Sequence, residues 1–127
     1  MKPWKMFLGI LALAAVLAAK PTDWKRLGAR EVNFASDRDE IFCAHEGPLS
    51  ALVVEVRRNG VHIEDLQVQF ANGHILDVQV RAFISAGQRT RVIDLPGEDR
   101  IVKKVVFKYH SGKKRVKRAE VILFGRD

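Results

Sequence analysis

The chain has 127 residues, a formal net charge of +7, and 47% hydrophobic but only 8% aromatic side chains. That length holds one domain, and a single cysteine excludes both an internal disulfide framework and a Cys-built structural zinc site. The surplus of positive charge directs attention to anionic partners.

Residues 1–19 read as an export signal. Lys2 and Lys5 supply a short positive region, residues 7–17 are an unbroken apolar run, and Ala18 and Ala19 form a small-residue cleavage region. Cleavage after Ala18 and cleavage after Ala19 fit equally well. An uncleaved membrane anchor is the alternative, but the run is shorter than the roughly 20 apolar residues that cross a bilayer. No cysteine follows that could carry a lipid. The expected product is a signal-peptide helix followed by one domain over residues 20–127, large enough to fold without staples.

The rest of the chain reads as strands and turns. Residues 21–30 form a polar lead-in whose Trp24 can dock on a core edge. Residues 31–34 alternate, with Val32 and Phe34 on one side, and predict a first strand. Residues 35–40 read as an acidic loop and residues 41–44 as a short second strand, closed by Gly47-Pro48. Over residues 49–57, Leu52, Val54 and Val56 share one face and Val53, Glu55 and Arg57 the other. Asn59-Gly60 then predicts a tight hairpin, since both residue types tolerate φ > 0. Leu66, Val68 and Phe70 alternate with Gln67 and Gln69, and a second hairpin signal at Asn72-Gly73 leads to Leu76, Val78 and Val80.

Residues 89–108 predict two strands flanking a turn. Pro96 presets φ for the first central position and Gly97 takes φ > 0 at the second, the chemistry of a type II turn. On the second strand Val105, Phe107 and Tyr109 face a core, while Lys104, Lys108 and His110 point the other way. Residues 111–117 form a basic turn, and residues 119–124 the last strand, stopped by Gly125. Leu27-Gly28 and Phe124-Gly125 suggest that the two ends of the domain meet. No segment after the signal keeps a 3.6-residue period. The pattern predicts an all-β antiparallel β-sandwich, jelly-roll-like, of about eight strands.

These elements in this order resemble the YaaI-like small exported proteins of Gram-negative bacteria, a domain of unknown function. The resemblance rests on Leu27-Gly28, the Asp37-Arg38-Asp39 loop, residues 68–73 (Val-Gln-Phe-Ala-Asn-Gly), residues 86–95 (Ala-Gly-Gln-Arg-Thr-Arg-Val-Ile-Asp-Leu), Lys103 with Val105 and Phe107, and residues 123–125 (Leu-Phe-Gly). It implies a periplasmic β-protein tied to envelope conditions, with no catalytic residues to carry over. Members of that family with paired cysteines differ from this chain, whose Cys43 is alone.

Catalysis is not expected. His45, His62, His74 and His110 lie apart in sequence, and no Gly-x-Ser-x-Gly elbow is present. Phosphate-cradling Gly-rich loops are absent and no cofactor is expected. Asp37, Asp39 and Glu40 are hard oxygen ligands that Ca²⁺ accepts, but they lack the glycine and distal glutamate of an EF-hand and read first as a solvated loop. Cys43 lies in an apolar run and reads as a small buried hydrophobe or as one half of an interchain disulfide.

Charge is uneven along the chain. Residues 20–80 carry seven Lys/Arg against ten Asp/Glu, a net −3, whereas residues 81–127 carry 13 against five, a net +8. Lys113, Lys114, Arg115, Lys117 and Arg118 form the candidate anion-binding cluster; the alternative is a solubilising run that blocks strand pairing. Export argues against nucleic acid and leaves an anionic envelope component or an acidic protein, with peripheral membrane contact. A second function, a small-molecule or carbohydrate-binding sandwich, requires exposed aromatics on a concave sheet face, and the sequence offers only Trp24 and Tyr109 as obvious candidates.

Overall fold

A computed structural model describes residues 23–32, 38–45, 47–97, 100–110 and 118–127. The signal segment 1–19, Asp37, and Lys113, Lys114, Arg115 and Lys117 of the basic turn lie outside the described residues.

The described residues form eight strands: β1 (Lys25–Val32), β2 (Arg38–Phe42), β3 (Ala51–Arg57), β4 (Val61–Phe70), β5 (Ile75–Ile84), β6 (Ile93–Asp94), β7 (Val102–Tyr109) and β8 (Ala119–Arg126). They form two antiparallel four-stranded sheets, ordered β1-β8-β3-β6 and β2-β7-β4-β5. The two sheets pack face to face as a β-sandwich, the class the alternation predicts.

The core between the sheets follows the period-two pattern closely. Leu52, Val54 and Val56 of β3 meet Val121 and Leu123 of β8 from one side, and Ile63, Leu66 and Val68 of β4 join Val105 and Phe107 of β7 from the other. All of these side chains are buried, and each removes the apolar area of a core aliphatic or aromatic from water, about 1.5–3 kcal/mol apiece.

The connections depart from expectation. Asn59-Gly60 does not close a hairpin, because β3 belongs to the first sheet and β4 to the second. The left-handed residue there is Arg58 (φ 74°), not Asn59 or Gly60. What requires a glycine at 60 is space: a Cβ would stand 2.2 Å from Cζ of the Phe83 ring. The Pro96-Gly97 turn likewise joins β6 and β7 of opposite sheets instead of pairing them, although Gly97 does take φ +98°. Asn72-Gly73 is a true hairpin. Gly73 N donates to Phe70 O and Phe70 N to His74 O, both at 2.9 Å, with Gly73 alone of the turn residues at positive φ. That is a type I turn followed by a left-handed glycine, and not the mirror-image turn, which needs φ > 0 at both central residues.

Two strands also start earlier than their alternation suggests. β1 begins at Lys25 in the segment read as a polar lead-in, and β2 begins at Arg38 in the segment read as a loop. Both are edge strands, so one side of each keeps polar residues and weakens the period. Gly125 does not stop β8. It pairs with Lys25 and with Leu52, and a Cβ there would approach Leu27 Cδ1 to 2.7 Å. The proximity of the two ends is therefore real: β1 runs antiparallel to β8 along its whole length.

Candidate functional site

Four cross-strand rows cover the outer face of the β2-β7-β4-β5 sheet, because residues two apart project to the same side. One row is Arg38, Lys108, Asp65 and Gln79. The next is Glu40, Val106, Gln67 and Asp77, and beyond it stand Phe42, Lys104, Gln69 and Ile75. At the opposite end, His62 is paired with Phe83, and His110 N donates to His62 O.

A groove of about 240 Å³ lies across the first two rows, lined by Arg38, Asp65, Gln67, Asp77, Gln79, Arg81 and Lys108 over a floor that includes the buried Val106. A double irregularity shapes it. Glu64 is an extra residue of β4 relative to β7, and on β5 Val80 and Arg81 together oppose Glu64. Arg81 consequently sits at φ +46°, an uncommon conformation for a non-glycine residue. Bulges of this kind re-aim side chains. Here the bulge turns Arg81 to within 3.9 Å of Asp65.

The groove's charges are only partly neutralised. Asp65 is engaged by Arg81, and Glu40 by Lys104 at 3.3 Å. Lys108, although directly opposite Asp65, has no ion-pair partner among the described residues. Asp77 accepts one long hydrogen bond from Gln67 Nε2 (3.5 Å), and Gln69 Nε2 donates to Gln67 Oε1 (2.7 Å). An ammonium, a carboxylate and a chain of amides thus face solvent in adjoining rows.

Phe83 and Phe42 stand out on this face, 62% and 63% exposed. Phe83 lies against the Gly60 backbone, and Phe42 has Lys104 Nζ 5.4 Å above its ring. Alternation marks both only as strand aromatics, so neither stands out in the sequence. Of the two aromatics the sequence offered, Tyr109 is in the core, and Trp24 is partly buried with the Arg126 guanidinium 4.6 Å from its ring centroid.

The structure separates some predicted groups and unites others. Asp39 and Glu40 are consecutive in β2 and project to opposite faces. Asp39 turns inward toward Arg30 Nε (3.5 Å) and Tyr109, and Glu40 outward to Lys104, so the pleat divides the calcium candidates. Burial raises the Asp39 pKa against the pull of Arg30, and burial followed by the Asp39 carboxylate raises that of Tyr109. Arg118, the described member of the basic cluster, donates from Nη1 to Glu31 Oε1 at 3.0 Å. Arg89 pairs with Glu55 of neighbouring β3 at 3.0 Å. Cys43 is half-buried against the core, and burial pushes its thiol pKa up.

His62 and His110, 48 positions apart in sequence, meet edge to face with ring centroids 5.2 Å apart. Glu64 Oε2 lies 3.2 Å from His110 Nδ1 and 3.8 Å from His62 Nε2. The bulge at Glu64 creates this meeting, and no spacing rule in the sequence announces it. The cluster is open to solvent, and among the described residues no group of three His, Cys, Asp or Glu is arranged to hold a metal ion.

Residues 6–125 match a family described as a domain of unknown function, DUF2541. No curated protein sequence matches the chain. Among solved structures the fold is similar to part of Pseudomonas aeruginosa AlgX, with a TM-score of 0.53 and 14% identity over 81% of this chain. The match spans 27% of the AlgX chain, and at that identity the likeness concerns the fold alone.

Proposed function

The chain belongs to the DUF2541 family, a domain of unknown function, and we propose that it works as an exported, non-catalytic binding module. In this reading it stands with the YaaI-like proteins of the Gram-negative periplasm, delivered there by cleavage of residues 1–19, and contacts an anionic component of the envelope. The observation that carries the reading is the charge distribution: residues 81–127 hold a net +8 while residues 20–80 hold −3. Among the described residues of that basic half, Lys103 and Lys108 are exposed and have no ion-pair partner. Long-range attraction of this kind concentrates an anionic partner at the surface and weakens with salt.

The test is co-sedimentation of the processed protein with anionic and with neutral vesicles across a salt series. The comparison is a variant in which Lys113, Lys114, Arg115, Lys117 and Arg118 are all alanine. Binding to anionic vesicles that declines with salt and falls sharply in the variant is the expected result. Wild type and variant alike remaining in the supernatant would remove the envelope-surface role. Mass spectrometry of the protein recovered from the periplasm checks export itself, which requires a chain beginning at Ala19 or Lys20.

A further inference from the structure

The groove on the outer face of the β2-β7-β4-β5 sheet has a chemistry that narrows what it can hold. Resting on the reading of the chain as a binding module, we propose that this groove is a subsite for an acidic saccharide. Lys108 is exposed at the centre of its row with Asp65 already engaged by Arg81, so its ammonium is available to a carboxylate or sulfate. Asp77, in the adjoining row, receives one hydrogen bond of 3.5 Å and keeps acceptor capacity that suits a hydroxyl donor. Gln67 and Gln79 offer both donors and acceptors, which is what a ring of hydroxyls, each donor and acceptor at once, requires.

Other anions fit less well. A nucleic-acid backbone or a row of lipid phosphates would bring its charges against Asp65 and Asp77, and like charges so placed are repulsive. A uronic acid unit carries one carboxylate beside several hydroxyls on the same ring, and can set the carboxylate beside Lys108 and its hydroxyls beside Asp65 and Asp77. Apolar surface is at hand too. Val106 forms part of the floor, and beyond the lining residues Phe83, the next outward residue after Arg81 on β5, stands exposed against Gly60. A sugar's flat C–H face packs on such a ring, and sites of this type combine apolar surface with a few placed polar groups. Arg81, at positive φ in the bulge, brings its guanidinium to 3.9 Å from Asp65.

The experiment is an amide-resolved NMR titration of the protein with tetragalacturonate, with maltotetraose as the neutral counterpart and with sodium sulfate as the anion alone, all at constant ionic strength. Tetragalacturonate is expected to give saturable shifts at residues 65–67, 77–81 and 106–108. Lys108→Gln should weaken it about tenfold, the equivalent of roughly 1.4 kcal/mol, and Phe83→Ala should weaken it as well. Both positions are exposed, so unchanged melting temperatures will separate lost contacts from lost fold. Wild-type affinity in Lys108→Gln, shifts confined to residues 111–118, absence of saccharide shifts, or sulfate binding as tightly as the tetrasaccharide would each overturn the subsite. Vesicle binding surviving alongside such a result would leave the envelope role standing. Saccharide binding without vesicle binding would keep the groove and remove the envelope surface.

Discussion

Glu55 is 8% exposed on the outer face of β3, a position that would be untenable for a lone carboxylate. Burial pushes its pKa up, but Arg57 Nε at 2.6 Å and Arg89 Nε at 3.0 Å donate to its two oxygens, and the net effect is a lowered pKa. A carboxylate with a folded-state pKa below its unfolded value of about 4.3 stabilises the fold above that pH. The contribution is lost as pH falls through the folded value. Glu55→Gln should therefore lower stability at pH 7 by about 1.5–3 kcal/mol, the range for hydrogen bonds to a charged group. Its difference from wild type should shrink in urea titrations below pH 4. Asp39 has the opposite sign. Its pKa is raised, chiefly by burial, so folding binds its proton more tightly and its ionisation at neutral pH works against the fold. Asp39→Asn should be more stable than wild type at pH 7 and lose that advantage on acidification. Parallel pH profiles for the two variants would contradict both assignments.

At the scale of elements, the first sheet is completed by a segment that is barely a strand. β6 is two residues long, and the chain before it holds the edge of β3 by alternating bonds: Gly87 N to Val56 O at 2.7 Å, Val56 N to Gln88 O at 3.0 Å and Thr90 N to Val54 O at 2.8 Å. Where the ladder leaves regular geometry, Thr90 Oγ1 accepts from Val54 N at 3.1 Å and donates to Arg91 O at 2.9 Å. Thr90→Val keeps the volume and removes that acceptor, leaving a buried N–H unpaired at a cost of about 1–3 kcal/mol. The Val54 amide should then exchange faster with solvent while Thr90→Ser behaves as wild type. Unchanged Val54 protection in the valine variant would show that the hydroxyl is dispensable.

The same contrast explains what was legible in the sequence. Alternation identified β4, β5 and β7 because their two faces differ in kind, core against solvent, whereas β3 is buried on both faces and showed itself by its run of valines. It could not show which sheet a strand joins, since Asn59-Gly60 and Asn72-Gly73 are the same dipeptide and only the second closes a hairpin. The difference lies in long-range neighbours: Gly60 is held by the Phe83 ring, and Asn59 Nδ2 donates to Arg118 O at 2.6 Å. The candidate site was hidden for a related reason. Lys108, Asp65 and Gln79 form a row only once three strands are in register, and the bulge that aims Arg81 and Glu64 appears as a misalignment of pairings, not as a motif.

At the scale of the molecule, consecutive strands among the described residues lie in opposite sheets in every case except β4 and β5, so the two sheets are woven together by the chain. Such non-local order costs loop-closure entropy before contacts repay it and predicts slow folding. It also predicts where the chain can be opened. Lys25 Nζ lies 2.9 Å from Asp127 Oδ2, so the ends of the sandwich can be joined by a short linker from Asp127 to Asp23. Opening the joined chain between Asn59 and Gly60 leaves β3 held by β8 and β6, and β4 by β7 and β5. Opening it between Asn72 and Gly73 leaves β5 as a terminal edge strand paired with β4 alone. The first permutant should unfold cooperatively near the wild-type urea midpoint. The second should unfold at lower urea, with β5 amides the first to exchange. The reverse order would mean that Asn59-Gly60, and not Asn72-Gly73, sets a strand register, which two strands in different sheets cannot share.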